Sequence, residues 1–306
     1  MDLLALSKAK DKPSANQAIL VYGEPKTGKT RFVGTLARMP SIKRIFWFDN
    51  ENGFTTLLHM GLSDTELAKI NIFRIKDTKD NPIAIETILR AFSKSPVIIC
   101  DEHGKIDCGE CGTEDIQEIN PVTKAVKMTK RFKGTRFFLP DCTSEDAVVI
   151  DSGTQLGDSA LALACLGQST TYKVQIDDYG AAGKYLQDIL SVMQAATYCH
   201  MIMIAHEIAV EENLDGTPVT LREKSSKNPP PSIVKYYPSI GTRSMAMKAA
   251  RGFGTVIYME LKLNKHVGGS STTYKANHVT GSRLNVKLED SKDPCMADIQ
   301  IGRAHV

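Results

Sequence analysis

Val21-Tyr22-Gly23-Glu24-Pro25-Lys26-Thr27-Gly28-Lys29-Thr30 is the stretch that decides the fold. From Gly23 onward it fits G-x-x-x-x-G-K-[ST] in full, and an apolar run, Ala18 to Tyr22, stands directly before it. A strand that enters a Gly-rich turn and leaves as a helix is the context this motif requires. Gly23, Glu24, Pro25, Lys26, Thr27, Gly28, Lys29, Thr30 and Arg31 then form a cradle whose backbone N–H groups face a phosphate chain. Lys29 reaches the β- and γ-phosphates, and the Thr30 hydroxyl takes one position on Mg²⁺. The motif predicts a bound nucleoside triphosphate, ATP with Mg²⁺.

Downstream of the cradle, Arg31 to Met39 suits a helix, and Ile45-Phe46-Trp47-Phe48 is an apolar run of strand length ending at Asp49. Ile70 to Ile75 is a further strand, and Ile83, Ile85, Ile88, Leu89 and Phe92 fall at helical spacing. Ala147-Val148-Val149-Ile150 is a buried strand closed by Asp151. Tyr185, Leu186, Ile189, Leu190 and Met193 mark the core face of a helix, and Met201 to His206 is another buried strand. Strands alternating with helices imply α/β architecture, a mainly parallel sheet with helices on both sides. Glu207 to Pro238, polar and Pro-rich, suits a long loop. Gly254–Lys262 and Thr272–His278 suit antiparallel strands added at the C-terminal end.

The chain has 306 residues and a net charge of only +3, so contact with nucleic acid has to come from local patches and not from a global field. No apolar run approaches the roughly 20 residues of a membrane span. Met1-Asp2-Leu3-Leu4-Ala5 lacks the basic-then-apolar order of a signal peptide, which points to the cytoplasm. In that compartment the seven cysteines are not a disulfide framework. Ile301-Gly302-Arg303-Ala304-His305-Val306 is what a common sequencing adapter encodes in frame, so 301–306 is expected to be a scar lying beyond a lost natural C-terminus.

Three strand ends carry chemistry. Asp151 closes an apolar strand after the cradle, the placement of a Mg²⁺-holding carboxylate, with Ser152 beside it. Glu51, just past the strand ending at Asp49, can orient a water beside the transferred phosphoryl, since ligands sit outside the C-terminal ends of parallel strands. Asp49 is expected to fix the turn. His206 closes the last central strand and can sense the γ-phosphate; His200, at that strand's start, is structural.

Strand, P-loop and helix, then Phe48-Asp49-Asn50-Glu51, then Ile150-Asp151-Ser152, then a strand ending in a polar sensor resembles the RecA-like ATPase core. The chain is particularly similar to the compact RecA-like ATPases of tailed phages, the Sak-type recombination ATPases counted among AAA-family nucleotide-binding proteins. The resemblance covers about residues 15–95 and 145–285. It implies a RecA-like P-loop NTPase core in which Glu51 activates water, with Lys29 and His206 as the other catalytic residues, and His206 couples nucleotide to a DNA loop. It further implies ATP bound between protomers of a filament or ring, and single-stranded DNA as partner. The DNA-binding loops would follow the Asp151 and His206 strands, where Arg222, Lys224, Lys227, Lys235, Arg243, Lys248 and Arg251 fall. In Thr280-Gly281-Ser282-Arg283, only Arg283 stands for the family's Lys-x-Arg pair.

The resemblance leaves residues 96–140 unexplained. Cys100-x-x-His103 and Cys108-x-x-Cys111, each followed by Gly, supply three sulfurs and one imidazole, a set suited to tetrahedral structural Zn²⁺. Lys124, Lys127, Lys130, Arg131, Lys133 and Arg136 follow with Phe132, Phe137 and Phe138 among them. They are either a surface for phosphates and stacked bases or a solvated hairpin whose phenylalanines pack beneath the knuckle. The organisation expected is a P-loop half (1–95), a zinc-knuckle insertion with its basic segment (96–140), a second half with the DNA-loop candidate (141–295) and a tail (296–306). The function expected is a DNA-dependent ATPase of phage recombination, annealing or replication. A P-loop kinase of a small acceptor and an ATP-gated DNA-binding or packaging module are the alternatives.

Overall fold

In the computed structural model the run before the P-loop forms β1 (Ala18–Gly23), which lies inside a sheet and not at its edge. The structure describes residues 18–78, 80–119, 124, 126–169, 171–220, 225, 231–266, 269–279 and 286–287. Arg222, Lys224, Lys227, Arg283, the 280–283 motif and the 301–306 tail lie outside the described residues. The parallel neighbours of β1 are β9 (His200–Asn213) and β11 (Thr255–His266). Beyond β9 come β8 (Asp146–Asp151), β2 (Arg44–Asp49) and β3 (Ile70–Arg74), all parallel. The C-terminal ends of β1, β2 and β8 therefore open on one side of the sheet, where a ligand of parallel strands is held and past which β9 runs on.

Side chains alternate across each strand and so divide between two cores. Leu20, Phe48, Val148, Ile150, Met201 and Met203 face one layer, made by α4 (Ile83–Ala91), α5 (Gly153–Ala164) and α6 (Ile176–Ala195). Val21, Ile45, Trp47, Val149, Ile202 and Ile204 face the other, which contains α1 (Lys29–Gly34) and α2 (Phe54–Leu58). A short α3 (Asp64–Leu67), capped by Ser63 and Glu66, leads into β3. The mainly parallel sheet with helices on both faces is the architecture the sequence implies.

Four local expectations give way to tertiary structure. The helix after the P-loop is shorter than Arg31–Met39: α1 stops at Gly34 and a 3₁₀ turn, Thr35–Arg38, follows. Gly34 lies so close to Met60 and Leu57 that a Cβ there would stand 2.6 Å from the Met60 sulfur. Lys69 Nζ then ties the carbonyls of Ala37 and Met39. The 207–238 segment is not a loop throughout. β9 continues past His206 to Asn213 and pairs antiparallel with β10 (Ser232–Pro238). Glu212, only 1% exposed, looks out of place in a strand, but Lys235 and the Tyr237 hydroxyl satisfy its carboxylate.

In the C-terminal third, β11 is parallel to β1 and belongs to the central sheet. The chain leaves β10, which runs against β9, passes through α7 (Arg243–Ala249) and enters the sheet beside β1 in the direction shared by β1 and β9. Beyond β11, β12 (Gly269–Val279) and β13 (Val286–Lys287) add antiparallel strands. Between residues 96 and 140, β4 (Val97–Ile99) pairs with β7 (Thr135–Phe137), while β5 (Thr113–Ile119) and β6 (Val126–Phe132) form a separate hairpin. Phe137, considered in the sequence as a stacking face, is 1% exposed and packs on Phe46, Phe48 and Phe73.

Candidate functional site

The P-loop closes on itself before α1 begins. Thr27 Oγ1 donates to the Glu24 carbonyl at 2.9 Å, and Lys26 and Gly28 take φ of 66° and 86°. Left-handed residues in such a turn aim successive N–H groups to one side, which makes the nest an anion requires. Gly23 is constrained by packing: a Cβ there would stand 1.9 Å from the Met259 carbonyl oxygen of β11. Glu24, Pro25 and Lys26 are exposed on the loop's outer wall, while Arg31 is half-buried in α1.

Lys29 is 5% exposed, and all three of its N–H donors have acceptors: Gly23 O at 2.9 Å, Glu24 O at 2.6 Å and His206 Nδ1 at 3.4 Å. Burial pulls its pKa below the ordinary lysine value, against the carboxylates of Glu51, Asp151, Glu207 and Glu24. A Lys N–H can only donate, so His206 Nδ1 is the acceptor and Nε2 carries the hydrogen. Nε2 meets Glu51 Oε1 at 3.1 Å. Burial works against charge on Glu51, yet His206, Ser152 and Lys29 together hold its pKa below the usual carboxylate value. Thus Lys29, His206 and Glu51 form one chain of contacts across the ends of β1 and β2; His206 does not close its strand, as the sequence suggests, but lies within β9 level with Gly23 at the end of β1.

Asp151 is 1% exposed and accepts a hydrogen bond from Thr30 Oγ1 at 3.0 Å. Burial pushes its pKa up to about 7, with the Thr30 bond opposing and Asp49 and Glu51 adding to the rise. A hydroxyl and a carboxylate meeting in a dry crevice is a donor set that fits Mg²⁺. Gly53 keeps that space open, since a Cβ on it would stand 2.7 Å from Asp151 Oδ2. Asp49 is occupied differently. Its oxygens accept the amides of Glu51 (3.3 Å), Gly53 (2.8 Å) and Phe54 (2.9 Å), which builds the turn that carries Glu51.

Several contacts in this crevice leave no sign in the sequence. Asn50 and Ser152 exchange hydrogen bonds, Asn50 Nδ2 to Ser152 O at 3.2 Å and Ser152 N to Asn50 Oδ1. The register explains why: Asp49 pairs with Asp151, so the residues one step beyond each meet. Thr154 Oγ1 accepts the His206 amide at 2.8 Å, and the His206 carbonyl accepts Ser239 N–H at 2.7 Å. Only knowledge of which strands are neighbours would have exposed these contacts.

The four knuckle residues form a second cluster, apart from the strand ends. Ligand atoms of Cys100, His103, Cys108 and Cys111 lie within 4.8 Å of one another. His103 Nδ1 stands 3.7, 3.6 and 3.3 Å from the sulfurs of Cys100, Cys108 and Cys111, and the Cys100 and Cys111 sulfurs are 3.2 Å apart. Tetrahedral Zn²⁺ with ordinary bond lengths would set sulfur–nitrogen edges of about 3.6 Å. Hydrogen bonding to Cys100 and burial push the Cys111 thiol up to about 12, and a cation among the sulfurs would favour its ionised form. Gly104 and Gly112 supply the left-handed turns, with φ of 64° and 70°. Glu110 reaches both Lys105 and His103 Nε2.

The basic segment after the knuckle is not a uniform cationic face. In the β5–β6 hairpin Arg131 stands opposite Glu114, Lys130 opposite Asp115 and Lys127 opposite Glu118. Arg131 pairs with Glu114, and Arg136 with Asp141. By contrast, Arg243, Lys248 and Arg251 are exposed along α7 and the turn after it, and Lys235 is paired with Glu212.

A family model described as an AAA domain matches residues 15–281. No curated protein sequence matches the chain. Among solved structures it is similar to the RadB recombinase, with 14% identity and a TM-score of 0.37 over 89% of this chain and 86% of that one. It is likewise similar to the flagellar accessory protein FlaH from Methanocaldococcus jannaschii, with 11% identity and a TM-score of 0.38 over 90% and 86%. Among the described residues no helix is long and apolar enough to cross a membrane.

Proposed function

The chain belongs to the AAA domain family, and from that premise we propose that it is a RecA-like ATPase acting on single-stranded DNA. The observation that carries the proposal is the meeting of Lys29, the Thr30–Asp151 pair, Glu51 and His206 where β1, β2 and β8 end beside β9. The P-loop amides and Lys29 bind and orient the phosphates. Thr30 and Asp151 would hold Mg²⁺, which when bound supplies positive charge against the phosphate oxygens. Glu51 orients the attacking water and accepts its proton, and His206 keeps the Glu51 carboxylate in place.

The setting that fits this site is recombination, annealing or replication of a tailed phage, in the host cytoplasm, with protomers assembled in a filament or ring. Single-stranded DNA would lie along α7 and the β9–β10 hairpin, where the exposed basic residues stand close to the hairpin that begins at His206. The Cys/His cluster would hold structural Zn²⁺.

ATP turnover measured with and without single-stranded DNA tests the proposal. Stimulation by DNA, weakened by salt as phosphate contacts are, is expected. Turnover that ignores DNA, with transfer of phosphate to a small acceptor, would replace this function with that of a kinase. In Glu51→Gln, ATP binding should persist within a few-fold while hydrolysis falls by about two orders of magnitude or more. Unchanged turnover would remove Glu51 from its role.

A further inference from the structure

The Cys/His cluster touches the nucleotide site through a short sequence of contacts. Ile75, immediately after β3, is 3% exposed and donates its N–H to the Asp49 carbonyl at 2.8 Å. Asp49 in turn gathers the amides of Glu51, Gly53 and Phe54. Arg74, the residue before Ile75, lays its guanidinium over the Phe54 ring at 4.7 Å. The end of β3 thus holds the Glu51 turn at its root through Asp49 and at its far side through Phe54.

On its other side Ile75 is backed by the knuckle. Gly104 follows the ligand His103 and lies against the Ile75 main chain: a Cβ on it would stand 2.7 Å from Ile75 Cα and 2.5 Å from Cγ1. The Gly104 N–H donates to Cys100 O at 2.8 Å, and its carbonyl accepts Thr87 Oγ1 from α4 at 2.7 Å. Four ligands on one ion would fix Cys100 relative to His103, and with them the position of Gly104. Without a cation, three crowded thiols and an imidazole have no common partner to hold them at these distances.

We propose that Zn²⁺ in the Cys100–His103–Cys108–Cys111 site braces the Glu51 turn, through Gly104 and Ile75 to Asp49, and so sets the water-orienting carboxylate. The brace rests on the zinc and Glu51 assignments above, but its direct consequence is structural. Gly53 and Phe54 amides, tied to Asp49, are protected only while Ile75 is held from behind. The P-loop and β9 are anchored through β1 and β11 and do not depend on it.

Hydrogen exchange on the full chain tests this without relying on turnover. The purified protein should carry about one zinc per chain. Stripping it with a chelator should raise exchange at the Gly53 and Phe54 amides at least tenfold, leave β1 and β9 protected, and be reversed by adding Zn²⁺ alone. Gly104→Ala should give the same local rise with its zinc retained, because the added methyl displaces Ile75. Glu51-turn amides indifferent to zinc and to Gly104→Ala, or a protein purified without metal, would overturn the brace. So would loss of protection throughout the chain on chelation, since that makes the ion a requirement of the whole fold. Absent ATPase activity with the zinc-dependent exchange intact would reject the Glu51 assignment and leave the brace standing.

Discussion

Asp151 keeps its carboxyl where a charge is hard to hold, 1% exposed and near two other acids, Asp49 and Glu51. Its folded pKa, about 7 against an ordinary 3.8, is raised, so the folded protein binds this proton more tightly than the unfolded chain does. The stabilisation is complete below about pH 4 and is lost as pH rises through about 7. Asp151→Asn carries no such titration and retains a partner for Thr30. In Mg²⁺-free buffer the variant should unfold at the same temperature as the parent near pH 4 and at a higher one by pH 8. Thermal melts across that range check this, and a constant difference would show that Asp151 does not titrate there. Magnesium nucleotide should restore the parent at pH 8 and do little for the variant, because a bound cation favours the ionised carboxylate. Lys29 and Thr30 are legible in the sequence because P-loop chemistry is local, with fixed spacing and fixed residue types, and Asp151 because it closes an apolar strand. Asn50 and Thr154 are not, since their partners Ser152 and His206 are brought beside them only by strand order.

The β5–β6 hairpin shows how an element changes the meaning of a charge run. Read along the chain, Lys127, Lys130 and Arg131 look like a cationic stripe; in register each faces Glu118, Asp115 or Glu114. Opposite charges across an antiparallel pair stabilise the hairpin by roughly 0.2–1 kcal/mol each and cancel its field. Replacing Lys127 and Lys130 by Gln should therefore change single-stranded DNA affinity less than twofold. Replacing Arg243, Lys248 and Arg251 on and after α7 should weaken it tenfold or more and flatten its salt dependence, as fluorescence anisotropy at two salt concentrations would show. Equal losses from both sets would return the hairpin to the DNA surface. The same lesson applies to β9 and β10. Glu211, Glu212 and Lys235 gave that segment a polar, loop-like composition, and only pairing makes a buried Glu212 tolerable.

At the scale of the whole molecule, apolar runs betrayed the central strands because a strand buried on both faces has little room for polar residues. Period alone did not reveal how residues 96–140 divide. Their two ends belong to the main core, Val97 and Ile99 from β4 and Phe137 from β7, while the hairpin between them stands clear of it. Phe137→Ala should lower stability by about 3–5 kcal/mol, the usual cost of emptying a packed aromatic site. Replacing the 114–131 hairpin by a short turn should leave the urea midpoint nearly unchanged. A hairpin deletion as damaging as Phe137→Ala would show the hairpin to be part of the core. The direction of β11 is likewise not written in its own residues: it runs parallel to β1 and antiparallel to β12, and which neighbours it meets is a matter of strand order. That orientation has a consequence for synthesis. β1 emerges early from the ribosome, yet one of its two neighbours is not made until Thr255–Met259, which pair with Ile19–Gly23. Until then the apolar strand that carries the P-loop has an open edge, the kind of template on which nascent chains join one another. A polypeptide interrupted before Thr255 is therefore a hazard to its neighbours on the polysome, and slow decoding in that region would be selected against.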